Sequence, residues 1–293
     1  MAAEVNQSGT GEPIISVRGL TRSFGKQRVL EGINLDVYPG EILVIMGGSG
    51  CGKSTLLRHL IGSFQPDEGG IKLFGREITT MTEGQLNELR LKFGILFQSG
   101  ALFNSLSIGE NVALPLREHT QLDETTIEIM VKIKLELVGL REHANKMPAQ
   151  LSGGMKKRAG LARAIALDPQ ILFYDEPSAG LDPVTSAQID QLIIALTRKL
   201  SVTSVVVTHE MDSAFTIADR MCMLDKGVIL KMGRRQEFEQ LRNSRPEDLP
   251  DELSRLIRQF LRGEADGPIT QRKVSSDYEE DIMMVSLRQE HHG

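Results

Sequence analysis

The chain contains no tryptophan, and only 3 tyrosines and 10 phenylalanines among 293 residues, so its interior must be built mainly from aliphatic side chains. Positive charge is not in excess: the formal net charge is −5 with both signs mixed along the chain, which leaves no basic footprint for nucleic acid as a partner. No apolar run approaches the roughly 18 residues of a membrane span. The opening Met1-Ala2-Ala3-Glu4-Val5-Asn6 lacks the basic and apolar regions of a signal peptide, so the chain is expected to stay in the cytoplasm. Two cysteines, Cys51 and Cys222, have no ligand spacing; a reducing compartment would keep them as thiols, and neither reads as a nucleophile. With 40% apolar residues, there is material for one large domain or two modest ones.

The most informative stretch is Gly47-Gly48-Ser49-Gly50-Cys51-Gly52-Lys53-Ser54, a full match to the phosphate-binding pattern G-x-x-x-x-G-K-[ST]. Residues 41–46 before it are apolar and too short for a helix, which suits a buried parallel strand. After it a helix is expected from Lys53 to about Ile61, its unpaired N–H groups pointing back at the loop. The glycines allow close wrapping of the backbone, Lys53 supplies a cation for the β- and γ-phosphates, and the Ser54 hydroxyl can ligate Mg²⁺. A polyphosphate is the natural occupant.

Residues 1–13 are small and polar, and read as a disordered leader. Residues 14–20 and 29–37 mix alternation with β-branched residues, predicting antiparallel strands joined by a turn around Gly25. Phe24 stands on that turn, either as a stacking face for adenine or as a strand-end core residue. Residues 69–75 read as a short hairpin and 93–97 as a buried strand ending at Gln98.

From about 99 to 166 the pattern becomes helical, with Ile127, Met130, Val131, Lys134, Leu135 and Val138 on one face and a stop at Gly139. This insert closes on Leu151-Ser152-Gly153-Gly154-Met155 and a basic helix. A Ser-Gly-Gly at a helix start is either a simple cap or an anion-binding terminus. Residues 171–176 then form an apolar strand ending in Asp175 and Glu176. Alternation along a strand sends these carboxylates to opposite sides, one able to hold Mg²⁺ through water and the other to deprotonate an attacking water. Residues 202–208 form the next β-branched strand and end at His209, on the edge where ligands bind in parallel α/β sheets. Residues 221–232 read as a closing hairpin.

In this order, the phosphate loop, Gln98, Leu151-Ser152-Gly153-Gly154-Met155, Asp175-Glu176, Ser178-Ala179-Gly180-Leu181-Asp182 and His209 resemble the ATP-binding subunit of an ABC transporter over residues 14–240. Segments 97–103 and 115–121, the Ser152 motif with its basic helix, and Ala265-Asp266-Gly267-Pro268 are similar to ATPases of Mla-type, MCE-associated phospholipid transporters. The resemblance implies an α/β fold: a P-loop NTPase core of RecA-like type with an antiparallel β subdomain and an inserted α-helical subdomain. It implies that Phe24 stacks on adenine, that the loop from Gly47 to Ser54 with Thr55 and Gln98 binds ATP, and that Ser54, Gln98 and Asp175 serve Mg²⁺. Glu176 would be the general base, with Lys53 and His209 acting on the γ-phosphate. Ser152, Gly153, Gly154 and Met155 would cap the ATP of a second copy, and Asp182 would couple the two.

A homodimer sandwiching two ATPs follows from that resemblance, as do an integral membrane permease, an MCE-domain protein and a small accessory STAS-type subunit as partners, with the chain peripheral on the cytoplasmic face of the inner membrane. Two departures from the wider family stand out: Phe24 replaces the usual Tyr, and Met155 the usual Gln. ABC ATPases acting on ribosomes or DNA carry two cassettes or long heptad insertions, and neither is present. A regulator that binds ATP without hydrolysing it would have lost Glu176 or Lys53. Within transporters, an ATPase for a polar solute such as an amino acid is the alternative.

Residues 241–293 follow the cassette. Leu253, Leu256, Ile257, Phe260 and Leu261 predict an amphipathic helix between Asp251 and Gly263. After Pro268 an extended interaction tail is expected, docked either on its own cassette or on a neighbour.

Overall fold

The computed structural model describes residues 11–265. Most of the expected leader and the extended tail lie outside the described residues. Two compact units are present, one ending at Arg235 and the other beginning at Gln236.

The first unit opens with β1 (Ile15–Phe24) and β2 (Gln27–Val37), which pair antiparallel across the expected turn at Gly25. Next come β3 (Ile42–Met46), α1 (Lys53–Leu60), β4 (Glu68–Leu73) and the two-residue β5 (Arg76–Glu77). β4 and β5 form the expected hairpin, turning through Phe74 and Gly75, both at positive φ. A four-stranded antiparallel sheet results, in the order β2-β1-β4-β5.

α2 (Glu83–Arg90) leads to β6 (Phe93–Leu96). The helical insert follows as α3 (Ile108–His119), α4 (Glu124–Leu137) and α5 (Gly153–Ala164). Its helices start where the sequence supplies acceptors for unpaired N–H groups: Ser107 with Glu110 makes a capping box on α3, Asp123 caps α4 and Ser152 caps α5. On α4 the predicted face holds, with Ile127, Val131 and Leu135 buried, and Gly139 at φ +68° ends the segment. Lys134, on that same face, is buried and ion-paired with Asp168.

The chain continues through β7 (Ile171–Asp175), α6 (Pro183–Leu200), β8 (Thr203–Thr208), α7 (Met211–Ile217), β9 (Arg220–Asp225) and β10 (Val228–Arg234). The second sheet has the order β10-β9-β3-β8-β7-β6, parallel except for the antiparallel β9–β10 hairpin. All residues of β3 and β8 are buried, as continuous apolar and β-branched strands of a parallel sheet covered on both faces must be. One apolar cluster joins the two sheets and α1, with Val17 and Leu35 from the first sheet, Ile45, Phe173 and Val205 from the second, and Leu56 and Leu60 from the helix. The carboxyl ends of β3, β6, β7 and β8 therefore share one edge of a rigid sheet, and each is followed by one of the motifs.

The second unit contains most of α8 (Arg235–Asn243) and α9 (Glu252–Arg262). Asp251 caps α9 by accepting the Ser254 amide, and Gly263 ends it in the left-handed conformation, as expected. Leu256, Ile257 and Leu261 are buried, but Leu253 is 41% exposed. The expected five-residue stripe is thus shorter: Leu253 sits in the capped first turn, and burial begins one turn later.

Candidate functional site

The loop between β3 and α1 depends on glycine at two points. A Cβ on Gly47 would lie 2.1 Å from the Leu224 carbonyl oxygen and 2.6 Å from Cys51 Sγ. Gly52 precedes α1 at φ +110°, a conformation L side chains rarely adopt, with Val29 O 2.9 Å from its would-be Cβ. No side chain caps α1, so its first N–H groups face the loop without a side-chain acceptor. Lys53, buried, donates from Nζ to the carbonyls of Gly47 (2.9 Å) and Gly48 (3.0 Å), which places its ammonium inside the curve of the loop. Cys51 is buried with its thiol pKa pushed up by burial, as suits a packing residue rather than a nucleophile.

Ser54 Oγ donates to Asp175 Oδ1 at 3.3 Å, so the phosphate loop and the end of β7 meet at two side-chain oxygens. Burial raises the Asp175 carboxyl above its ordinary pKa, opposed by the Ser54 hydrogen bond. The expected strand alternation between Asp175 and Glu176 does not hold. Asp175 is the last residue of the strand, and Glu176 has already turned to φ +51°. The two carboxylates diverge because the backbone leaves the strand in a left-handed turn.

That turn is held on all sides. The Glu176 amide donates to Val207 O (2.9 Å), while its carbonyl accepts from Lys157 Nζ (3.0 Å) and from the Ala179 amide (3.3 Å). The carboxylate meets His209: Nδ1 lies 2.9 Å from Oε1, and the backbone amide donates to Oε2 at 3.4 Å. Glu176 is mostly buried and His209 largely exposed, so the pair faces outward from the sheet edge.

Phe24 is 44% exposed and thus no core residue. The Phe64 ring meets it edge-to-face with centroids 5.9 Å apart, and the Arg22 guanidinium lies 4.9 Å from its centroid, so the aromatic ring is held in place. Thr55 follows Ser54 on α1, its carbonyl accepting from His59 Nδ1 at 2.8 Å. Gln98 is exposed two residues past β6, on the same sheet edge, but has no hydrogen bond to Ser54 or Asp175 among the described residues. Beside it runs a groove of about 590 Å³ lined by Leu91, Phe93, Phe97, Pro115, His119 and Arg163.

Ser152 and Gly153 are exposed, and Gly154 is buried. Ser152 Oγ accepts the Met155 amide at 3.3 Å in its own helix; among the described residues no hydrogen bond joins this segment to the phosphate loop of the same chain. Asp182 caps α6, accepting from the amides of Val184 (3.1 Å) and Thr185 (3.0 Å), and its hydrogen bonds with Thr185 hold its carboxyl below the ordinary pKa. Lys157 and Phe64 also contact site residues, without a strong signal in the sequence. Lys157 was hidden in a basic run, though its spacing of four from Gly153 puts it on the same helix face; Phe64 lies in a loop without pattern.

The ABC transporter family model matches residues 30–179, slightly more than half of the chain. The chain belongs to the ABC transporter ATP-binding family. Among relatives of this ABC ATPase, the probable ribonucleotide transport ATP-binding protein mkl of Mycobacterium leprae is 44% identical over 255 residues, 87% of this chain and 70% of that protein. The intermembrane phospholipid transport system ATP-binding protein MlaF of Haemophilus influenzae is 40% identical over 269 residues, 92% of this chain and 98% of MlaF. Of solved structures, the ATP-binding cassette MJ0796, in a dimeric post-hydrolysis state bound to ADP and Pi, superposes with a TM-score of 0.70 at 30% identity, covering 75% of this chain and 98% of its own. CbiO1 of Clostridium perfringens, part of the transporter complex CbiONQ, gives 0.73 at 28% identity, covering 81% and 98%. The ABC ATPase fold expected from the sequence is thereby established, and with it nucleotide binding and ATP hydrolysis as the activity.

Proposed function

We propose that this ABC ATPase powers phospholipid transport between the inner and outer membranes. One observation carries the choice of cargo: the chain aligns with MlaF almost from end to end in both proteins, whereas the mkl relatives extend well beyond the match. The name of the mkl proteins favours the second reading, a transporter of polar solutes such as nucleotides.

In the proposed site adenine stacks on Phe24, and the amides of the 47–54 loop with Lys53 and Thr55 hold the phosphates. Ser54 and Asp175, hard oxygen donors already in contact, fit Mg²⁺, which takes few protein ligands beside phosphate and water; Gln98 on the same edge is the third candidate. Bound there, Mg²⁺ would neutralise charge building up on the phosphates. Glu176, oriented by His209, accepts the proton of a water that attacks the γ-phosphorus as its bond to the ADP oxygen breaks. Ser152 and Gly153, both exposed, complete the site of a second copy together with Gly154 and Met155, and Asp182 links the two sites.

A permease segment is proposed to seat in the groove beside Gln98, so that opening of the dimer moves the membrane subunit. Ile129 and Ile133, each 53% exposed and four residues apart on α4, offer an apolar row for the accessory STAS-type subunit. No helix among the described residues is long and apolar enough to cross a membrane, in keeping with a peripheral position on the inner membrane. Residues 14–240 are assigned to the cassette and 241–293 to partner contacts.

Affinity purification of the tagged chain from detergent-solubilised membranes of its own host tests the cargo. Recovery of a permease with an MCE-domain protein is expected. A permease recovered with a periplasmic solute-binding protein instead would replace phospholipid by a polar solute.

A further inference from the structure

Lys157 has an unusual place for a lysine in a basic run: it is only 5% exposed, and its Nζ donates 3.0 Å to the backbone carbonyl of Glu176. Glu176 is a non-glycine residue at φ +51°, a strained conformation that persists only where its surroundings impose it. Its amide is fixed on β8 by Val207 O, and its carbonyl by the Ala179 amide and Lys157. Of these partners, Lys157 alone belongs to the helical insert. It sits on α5 one turn beyond Gly153, so its side chain and the Ser152-Gly153-Gly154 segment travel on one rigid helix. That helix is closely seated on α6, since a Cβ on Gly154 would lie 2.3 Å from Thr185 Cγ2.

We propose that Lys157 is a positioning residue for hydrolysis: its buried ammonium holds the Glu176 backbone in the left-handed turn that presents the carboxylate to His209, and ties that turn to the helix headed by Ser152. The setting of the proton acceptor in one subunit thereby follows the helix that caps the nucleotide of the other. The inference rests on the reading of Glu176 as general base, and the experiment separates the two.

Lys157→Met keeps the length and burial of the side chain and removes the donor; Lys157→Arg keeps a cationic donor. In the full-length chain, Lys157→Met is expected to bind ATP within about twofold of wild type, to keep its unfolding midpoint and KM, and to lose roughly tenfold or more in kcat, with partial recovery in Lys157→Arg. Combined with Glu176→Gln, it should cost no further activity, because the lysine acts through that carboxylate. Normal turnover by Lys157→Met would overturn the proposal, as would a loss that multiplies with that of Glu176→Gln or appears in KM alone. Should Lys157→Met fold poorly, Lys157→Gln, polar but too short to reach, takes its place with the same two outcomes. If instead Glu176→Gln hydrolyses ATP normally, the base assignment itself falls; if that variant is slow and Lys157→Met is normal, only the lysine's role does.

Discussion

Lys53 is a buried cation whose ammonium donates to backbone carbonyls of the phosphate loop, and among the described residues no carboxylate is within ion-pair distance of it. An anion brought into that curve gains a charge-assisted contact worth about 1.5–3 kcal/mol. Lys53→Ala should therefore weaken ATP binding by roughly 10- to 100-fold, measured by fluorescence or calorimetric titration. Unchanged affinity would remove the loop from the site. Asp190 supplies a pH-dependent case away from the chemistry. It is 4% exposed on α6, accepts from Ser213 Oγ at 2.5 Å, and has its carboxyl pKa raised by burial, against the Ser213 hydrogen bond and with a smaller contribution from Glu210. A carboxyl whose folded pKa is raised binds its proton more tightly in the native state. Its stabilising contribution is complete below the unfolded value and is lost as pH rises through the folded one. Asp190→Asn keeps an acceptor for Ser213 and cannot ionise, so its stability should gain on wild type from about pH 4 upward and then level off. Urea unfolding of both proteins across that range checks the sign; a difference that is flat or falls with pH would contradict it.

At the scale of elements, much of the site could be read in the sequence because each motif follows a strand or helix start with a strong pattern of its own. The run before Gly47, the Ser-Gly-Gly helix start at Ser152 and the apolar strand before Asp175 could be placed without any tertiary information, whereas the caps at Ser107 and Asp123 emerged only with the structure. What could not be read were features set by contacts between elements. The left-handed turn at Glu176 occurs at a non-glycine residue, where composition gives no warning, and Leu253 continues its helix's pattern into a turn that the fold leaves exposed. Ser152 shows how one residue serves two scales. In its own chain it is the N-cap of α5; across the proposed dimer it meets the γ-phosphate of the partner's ATP. Ser152→Asp separates these roles, since aspartate caps helices as well as serine does but adds a negative charge facing the nucleotide. Folding and nucleotide binding by isolated subunits should persist while hydrolysis drops by at least about 100-fold. Steady-state ATPase assays beside thermal unfolding test this, and full activity in the variant would break the shared-site account.

For the whole molecule, the distribution of parts supports the proposed dimer. The phosphate loop, Asp175, Glu176 and His209 gather on one edge of the parallel sheet, while Ser152 and Gly153 stand exposed at the head of α5 without a hydrogen bond to that loop among the described residues. In the proposed dimer each nucleotide is enclosed where two chains meet, and hydrolysis would remove the γ-phosphate that joins them. The most direct test is Glu176→Gln in the full-length protein, with ATP turnover and sedimentation followed together. Loss of the proton acceptor with every binding contact kept predicts turnover lowered by at least about 100-fold. It also predicts an ATP-dependent shift from the 32.4 kDa chain to a stable dimer. Near-normal hydrolysis, or a variant that stays monomeric with ATP bound, would contradict the account.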